Sequence, residues 1–412
     1  MLKSLFPCTH VRYSSLPILG PSLDGLCAWL HAKDYPEEAL RRRVRAAVQL
    51  ERALHLRGVC SLGQLTASAL YSYVPLSRRS SGRLLGAMVR SLTRYLEERG
   101  ELAPTPPTPT QLRVTAYRHH LERVRGLASS TITLQVATVK KFLLFLDYDA
   151  QPHRLRALRS ADVEAFVAKV SRRVGRGRLS SVTSTLRAFL RFLTATGEGP
   201  RGLDVHVDSP RVFRGERLPR ALPWETVRAF LAAIDRASLK GRRDYAIFLL
   251  IATYGLRAGE VCSLTLDDIA WRERQIRVSR SKTGAPLVLP LTDEAASAVL
   301  DYVRRGRPEV TSRRLFLRVE APVGPLGSGA IWNAFARWAR CAHVALPSRG
   351  GPHCLRHSFA MRLLRQGTPL KTIGDLLGHR SIESTSVYVR LDAEDLREVG
   401  LSLPSLTEAV QS

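Results

Sequence analysis

No stretch of the 412-residue sequence stays apolar for the roughly 20 residues that a membrane-crossing helix needs, so a bilayer-spanning protein is not expected. The opening, MLKSLFPCTHVRYSSLPILG, lacks the unbroken apolar core of a secretory signal, because polar residues and prolines interrupt it; a cytoplasmic location is expected. Cysteine is sparse. Cys8, Cys27, Cys60, Cys262, Cys341 and Cys354 form no CxxC pair, and no histidine pair accompanies them at ligand spacing, which argues against a disulfide framework and a zinc site. Acidic residues are few, 36 against 63 basic ones, leaving a net charge of +27 and a pI near 10.8. With 45% hydrophobic residues the chain does not have the composition of a disordered polycation, so the excess points to a polyanionic partner, nucleic acid first. A generic basic surface, or affinity for acidic membranes, is the plainer reading. Lysine supplies only 8 of the 63 basic residues, which makes a lysine at a special position informative.

This length suggests two or three domains. The stretch APTPPTPT at 103–110 is short of backbone donors and favours extended geometry, and the Gly-, Pro- and Arg-rich stretch at 198–222 shows no sustained apolar period. Three blocks result, 1–102, 107–200 and 218–412. The first two resemble each other: Leu65 with Leu158, Tyr73 with Phe166 and Val74 with Val167 align at one constant offset, as a duplication would leave them. Helical spacing of apolar residues, such as Val139, Phe142, Leu143, Leu146 and Leu186, Phe189, Leu190, Leu193, predicts helical bundles. On their polar faces Lys140, Lys141, Arg176 and Arg178 are candidate phosphate contacts, with a merely solvated face as the alternative. The third block predicts helices over 223–235, 242–254, 258–266, 292–305, 329–344, 353–367, 369–377 and 381–390, with strands at 275–279 and 286–290. The expected fold is mainly α with a small β-sheet: tandem helical bundles followed by an α+β domain.

Four motifs of the third block carry reactive side chains. In GPHCLRHSFA (351–360) a helix starting near His353 would set Arg356 and His357 on its flank, so an imidazole and a guanidinium can face one spot, although such pairs are common by chance. In ATYGLRAGEVCSL (252–264) Arg257 sits among apolar neighbours and needs a partner; Glu260 can hold it, and an internal salt bridge is the bland explanation. Lys282, in SRSKTGAP, falls at the tip of the predicted hairpin. A loop lysine is usually just solvated, yet an ammonium can give up its proton when its pKa is lowered and a guanidinium cannot, which suits a general acid. LGHRSIESTSVYVRL (377–391) places Tyr388 nine residues after His379, either as a packing aromatic or as a nucleophile.

Together these groups match one reaction. A tyrosine oxygen attacking a phosphodiester needs cations on the non-bridging oxygens and a proton for the departing 5′ oxygen. Two arginines, a lysine and two imidazoles supply them, and the sequence holds no carboxylate cluster or Cys/His spacing that would call for a metal. Tyr388 then reads as the nucleophile, with His379 held to position or deprotonate it.

In this order and spacing, Arg257 in GLRAGE, Lys282 in SKTG, His353 and Arg356 in HCLRH, His379 in LLGH and Tyr388 resemble the catalytic set of the tyrosine recombinases, or phage integrases. The resemblance implies a nick in one DNA strand, a covalent 3′-phosphotyrosine, a free 5′ hydroxyl and religation to another strand, without a cofactor. By it Arg257 and Arg356 clamp the phosphate, Lys282 is the general acid, His353 assists proton transfer, His379 hydrogen-bonds the phosphate and Glu260 supports Arg257. It also implies double-stranded DNA as partner, a core-binding clamp in 107–200, a nucleoid-associated location, and a homotetramer on two DNA sites. The C-terminal tail would dock on a neighbour or on its own domain. Block 1–102 departs from the commonest arrangement and could bind core DNA, arm-type sites or another protein; this extra block leans the reading towards a mobile-element integrase or transposase. Ser386 stands where threonine is frequent. A type IB topoisomerase, a catalytically inactive DNA-binding protein and a basic RNA-binding protein are the alternatives, the last disfavoured by the lack of an aromatic-rich stacking motif.

Overall fold

The computed structural model describes residues 1–74, 80–104, 106–213, 220–280, 286–346, 350–379 and 383–388. Met1–Leu102 and Arg217–Ser412 form one compact unit and Ala103–Glu216 another. The chain is mostly helical with small antiparallel sheets, the fold class expected.

In the N-terminal residues, helices Gly20–His31, Glu37–His55 and Ser80–Arg99 bury Leu23, Leu26, Leu40, Leu50, Met88 and Leu92 in a core of their own. The Gly20–His31 helix starts without a side-chain cap on its N-cap residue. Buried Glu51 reaches across instead, accepting the N–H groups of Ile18 and Leu19 at 2.9 Å each, and so pairs donors that the chain buries just before the first turn.

The second unit packs helices Pro109–His119, Ser129–Phe145, Ser160–Ser171 and Arg176–Ala195 around Tyr117, Phe142, Phe166 and Phe189. The rings meet edge-on, with centroids 5.2 Å apart for Tyr117–Phe189 and Phe142–Phe166. The proline-rich stretch gives way to helix at its own last proline. Pro109 occupies the first helical turn, where a fixed φ and a missing N–H do no harm, and Thr108 and Gln111 close a capping box around it.

The third block is organised by the Leu239–Tyr254 helix, which is buried on every side from Ala246 to Ala252 and therefore carries no amphipathic stripe. It starts earlier than the apolar period predicts because Ser238 Oγ accepts the Gly241 N–H at 3.1 Å. It ends at Gly255, φ +63°, where a Cβ would come within 2.6 Å of Phe359 and 2.8 Å of Leu377, so both the left-handed backbone and the packing demand glycine. Strands Gln275–Val278 and Leu287–Pro290 pair antiparallel with Ile276 opposite Leu289. Ile269–Ala270 adds a third strand, and Leu317–Arg318 pairs with Gly324–Pro325. These two-residue strands are too short to show an alternating pattern in sequence. Buried Asp244 ties the core together: Oδ1 accepts Arg243 Nε and Nη2 at 2.9 and 2.8 Å, while Oδ2 accepts Arg337 Nη2 at 2.7 Å and Trp338 Nε1 at 2.9 Å.

Candidate active site

Three segments bring the reactive groups together. Arg257 stands at the N-cap of the Ala258–Ser263 helix, just beyond Gly255, and the cap fixes it: Glu260 accepts its backbone N–H at 2.8 Å and its Nη1 at 2.7 Å. The internal salt bridge and an aimed guanidinium are thus one arrangement, because Glu260 holds one end of the fork and the other end reaches the Gly378 carbonyl at 3.2 Å, beside His379. Arg356, on the His353–Arg365 helix, is buried; its Nη1 donates to the Gly255 carbonyl and its Nη2 to that of Leu377. Burial and the neighbouring Arg257 guanidinium pull its pKa down to about 10, which leaves it charged at neutral pH.

Tyr388 is buried, 1% exposed, two residues after the Glu383–Ser386 helix. Burial raises its pKa, and the charges of Arg356 and Arg257 work against that rise. The imidazole at its hydroxyl is His357, with Nδ1 2.9 Å from the phenolic oxygen. This corrects the expectation that His379 would position or deprotonate the phenol. The His379 ring instead lies parallel to the tyrosine ring, centroids 6.3 Å apart, with Nδ1 2.8 Å from Thr385 Oγ1. Both imidazoles are held down to about pKa 4, first by burial. At His357 the flanking His353, Arg356, His379 and Arg220, and at His379 the flanking Arg356, Arg257 and Arg280, act in the same direction. Neutral at pH 7, the two rings can accept protons as well as donate them.

Of the other expected site residues, His353 is exposed at the first turn of its helix, its ring 6.2 Å from that of Trp332. Lys282 lies outside the described residues. Lys140, Lys141, Arg176 and Arg178 are exposed in the second unit, where Lys141 and Arg178 join Lys169 and Arg173 around a cavity of about 430 Å³ floored by Phe145 and Phe166. The sequence reading missed two residues of the site, His357 and Arg280. His357 was legible on the face of its helix but its partner was not; Arg280 had no signal, being one arginine among many. Among the described residues no group of three or more His, Cys, Asp or Glu could hold a metal ion.

This architecture is that of the tyrosine recombinases. It superposes on XerH site-specific recombinase bound to palindromic difH substrate with a TM-score of 0.53 at 16% identity, over 81% of this chain and 92% of that one. It also superposes on a lambda integrase (75–356) dimer bound to a COC′ core site, with a TM-score of 0.51 at 18% identity, over 72% and 98%. The sequence matches the phage integrase family over residues 220–395 and the phage integrase N-terminal SAM-like domain over 114–197. It is 34% identical over 386 residues to a Sinorhizobium fredii protein carrying the provisional name integrase/recombinase y4rA, covering 91% of this chain and 92% of that one. Tyrosine recombinase XerD of Corynebacterium glutamicum is 30% identical over 293 residues, 68% and 93% of the two chains. The chain belongs to the tyrosine recombinase, or phage integrase, family.

Proposed function

We propose that this chain is a site-specific DNA strand-exchange enzyme acting through a 3′-phosphotyrosine. The observation that carries the reading is the 2.9 Å hydrogen bond between Tyr388 and His357, set beside the guanidiniums of Arg356 and Arg257. As the phenolic oxygen bonds to phosphorus, its proton passes to neutral His357 Nδ1. Arg257 and Arg356 neutralise the charge that grows on the non-bridging oxygens. The bond to the 5′ oxygen breaks, and that oxygen takes its proton from Lys282, leaving a 5′ hydroxyl. His379, with Nδ1 engaged by Thr385, offers Nε2 to the phosphate, and His353 assists proton transfer from the start of its helix. Religation runs the same steps backwards from another 5′ hydroxyl. The phosphodiester bond energy is kept in the covalent intermediate, so no cofactor is required.

The net charge of +27 and the DNA complexes formed by the XerH and lambda integrase neighbours support duplex DNA as substrate. The lambda integrase tetramer bound to a Holliday junction, another structural neighbour at a TM-score of 0.51, supports a homotetramer on two sites. Exchange of the C-terminal tail belongs to the same reading, although residues 391–412 lie outside the described ones. The extra N-terminal block favours a mobile-element integrase. Incubation with a randomised pool of nicked duplexes tests the chemistry: wild type should form a denaturant-resistant protein–DNA adduct, and Tyr388→Phe should bind DNA without forming one. An adduct that persists in Tyr388→Phe would end the reading, while junction sequences recovered from the wild-type adduct would reveal the target.

A further inference from the structure

The Leu370–Leu377 helix ends at Gly378, whose N–H bonds the Asp375 carbonyl at 3.0 Å, and the carbonyls after Asp375 have no partner within the helix at the negative end of its dipole. Three arginines from three different segments take them. Arg280, just past the Gln275–Val278 strand, donates Nη1 to the Asp375 carbonyl at 2.9 Å and Nη2 to that of Leu376. Arg356 takes Leu377, and Arg257 takes Gly378 at 3.2 Å. Four consecutive carbonyls are thus shared in a fixed order, two by Arg280 and one by each of the other two.

Gly378 makes this possible twice over. Its φ of +62° turns the chain away from the helix, and a Cβ there would lie 2.5 Å from Arg280 Nη1, 2.8 Å from Cζ and 3.0 Å from Nε. The Arg280 guanidinium therefore lies directly against the glycine backbone, one residue before His379. Three guanidiniums face the Glu260 carboxylate, with that of Asp375 also acting on Arg280; they repel one another, and the field of Arg280 is felt at both Arg356 and His379. The helix end supplies the missing negative partial charge.

Building on the strand-exchange reading, we propose that Arg280 is a positioning residue: by bridging the Asp375 and Leu376 carbonyls it fixes the helix end on which Arg257, Arg356 and His379 converge. Because Arg280 takes the Asp375 and Leu376 carbonyls, Arg257 and Arg356 each turn only one Nη to the helix end; their other Nη groups bond Glu260 and the Gly255 carbonyl, and the N–H groups left over are those that can meet a phosphate. A lysine at this position would preserve the charge, but a single ammonium lacks the planar fork that bridges two carbonyls in fixed geometry.

The test compares Arg280→Lys and Arg280→Ala with wild type in the full-length chain, on the duplexes recovered from the randomised pool. Four quantities are read: single-turnover adduct rate, DNA affinity, melting temperature and the NMR titration of His379. That ring faces Arg356 from the His353–Arg365 helix, Arg257 from the loop after Gly255, Arg280 from the strand end, and Thr385 and Tyr388 from the C-terminal segment. Both variants should slow adduct formation by about tenfold or more, with affinity within about threefold of wild type, as expected for misplaced rather than missing contacts. In Arg280→Ala the His379 titration should move up from about 4 towards 6.5. An unchanged adduct rate with a lowered melting temperature would reduce Arg280 to a helix cap and overturn the proposal. A large affinity loss restored by lysine would make it a direct phosphate contact and overturn it equally. Should wild type itself yield no adduct, the strand-exchange reading fails, and the His379 titration still judges Arg280: no movement in Arg280→Ala rejects the positioning role.

Discussion

Acid should destabilise this protein through two imidazoles. His357 and His379 are held at about pKa 4 in the folded chain against 6.5 in a free imidazole, because burial and the surrounding guanidiniums disfavour their charged forms. Between pH 6.5 and 4 the unfolded chain therefore binds more protons than the folded one, so the stability present above 6.5 is lost as the pH falls through that window. At full shift the step from pH 7 to pH 5 would cost about 2 kcal/mol per ring; allowing for solvent screening of partly exposed rings, about 2 kcal/mol for the pair is expected. Urea unfolding followed by tryptophan fluorescence measures it, since Trp224, Trp271, Trp332 and Trp338 all lie in the third block and only Trp29 lies outside it. The decisive quantity is a difference between two proteins. On the same pH step His357→Gln/His379→Gln should lose about 2 kcal/mol less than wild type. Equal losses in the two proteins would show that these two rings are not the source of the acid sensitivity.

Asp244→Ala leaves Arg243, Arg337 and Trp338 Nε1 without their shared acceptor and should cost about 3–5 kcal/mol in the same unfolding assay, with the adduct chemistry of the folded fraction preserved. Lys282→Ala should slow strand cleavage by about two orders of magnitude or more, and a substrate with sulfur in place of the 5′ bridging oxygen should recover most of it, because a thiolate leaves without a proton. Failure to recover would remove Lys282 from the acid role. DNA binding should weaken linearly on a log–log plot against salt, and neutralising any one true phosphate contact among Lys140, Lys141, Arg176 and Arg178 should lower that slope by about one. A variant with the full wild-type slope identifies a merely solvated residue.

Much of the fold is written in periodicity. The apolar spacing places the helices of the third block up to 377 and the strands Gln275–Val278 and Leu287–Pro290 to within a few residues, while the ends of the helix expected at 381–390 lie outside the described residues; the larger departures come from local chemistry that periodicity ignores: the Ser238 cap, the capping box at Pro109, and strands only two residues long. Arg257, Glu260, Arg356, His379 and Tyr388 were legible because each sits in a short motif whose neighbours limit its options. His357 shows the boundary. Helical spacing places it beside Arg356, but no spacing rule says that a phenol 31 residues further along will meet its Nδ1, since that depends on how the segment after the Glu383–Ser386 helix packs on the His353–Arg365 helix. Arg280 lies further beyond reach, because its partners are carbonyls on a helix 95 and 96 residues away. Backbone acceptors are identical at every position and leave no mark in sequence.

The near-complete enclosure of Tyr388 has a kinetic consequence. An oxygen so sheltered meets a phosphorus atom only once the groups that cover it part, with its bond to His357 kept or re-formed so that the proton can be taken. For the proposed chemistry, a pre-equilibrium thus stands ahead of bond breaking, and the population of the opened form multiplies every cutting rate. On that reading, whatever favours the opened form raises the cutting rate in proportion, and whatever keeps the phenol covered lowers it.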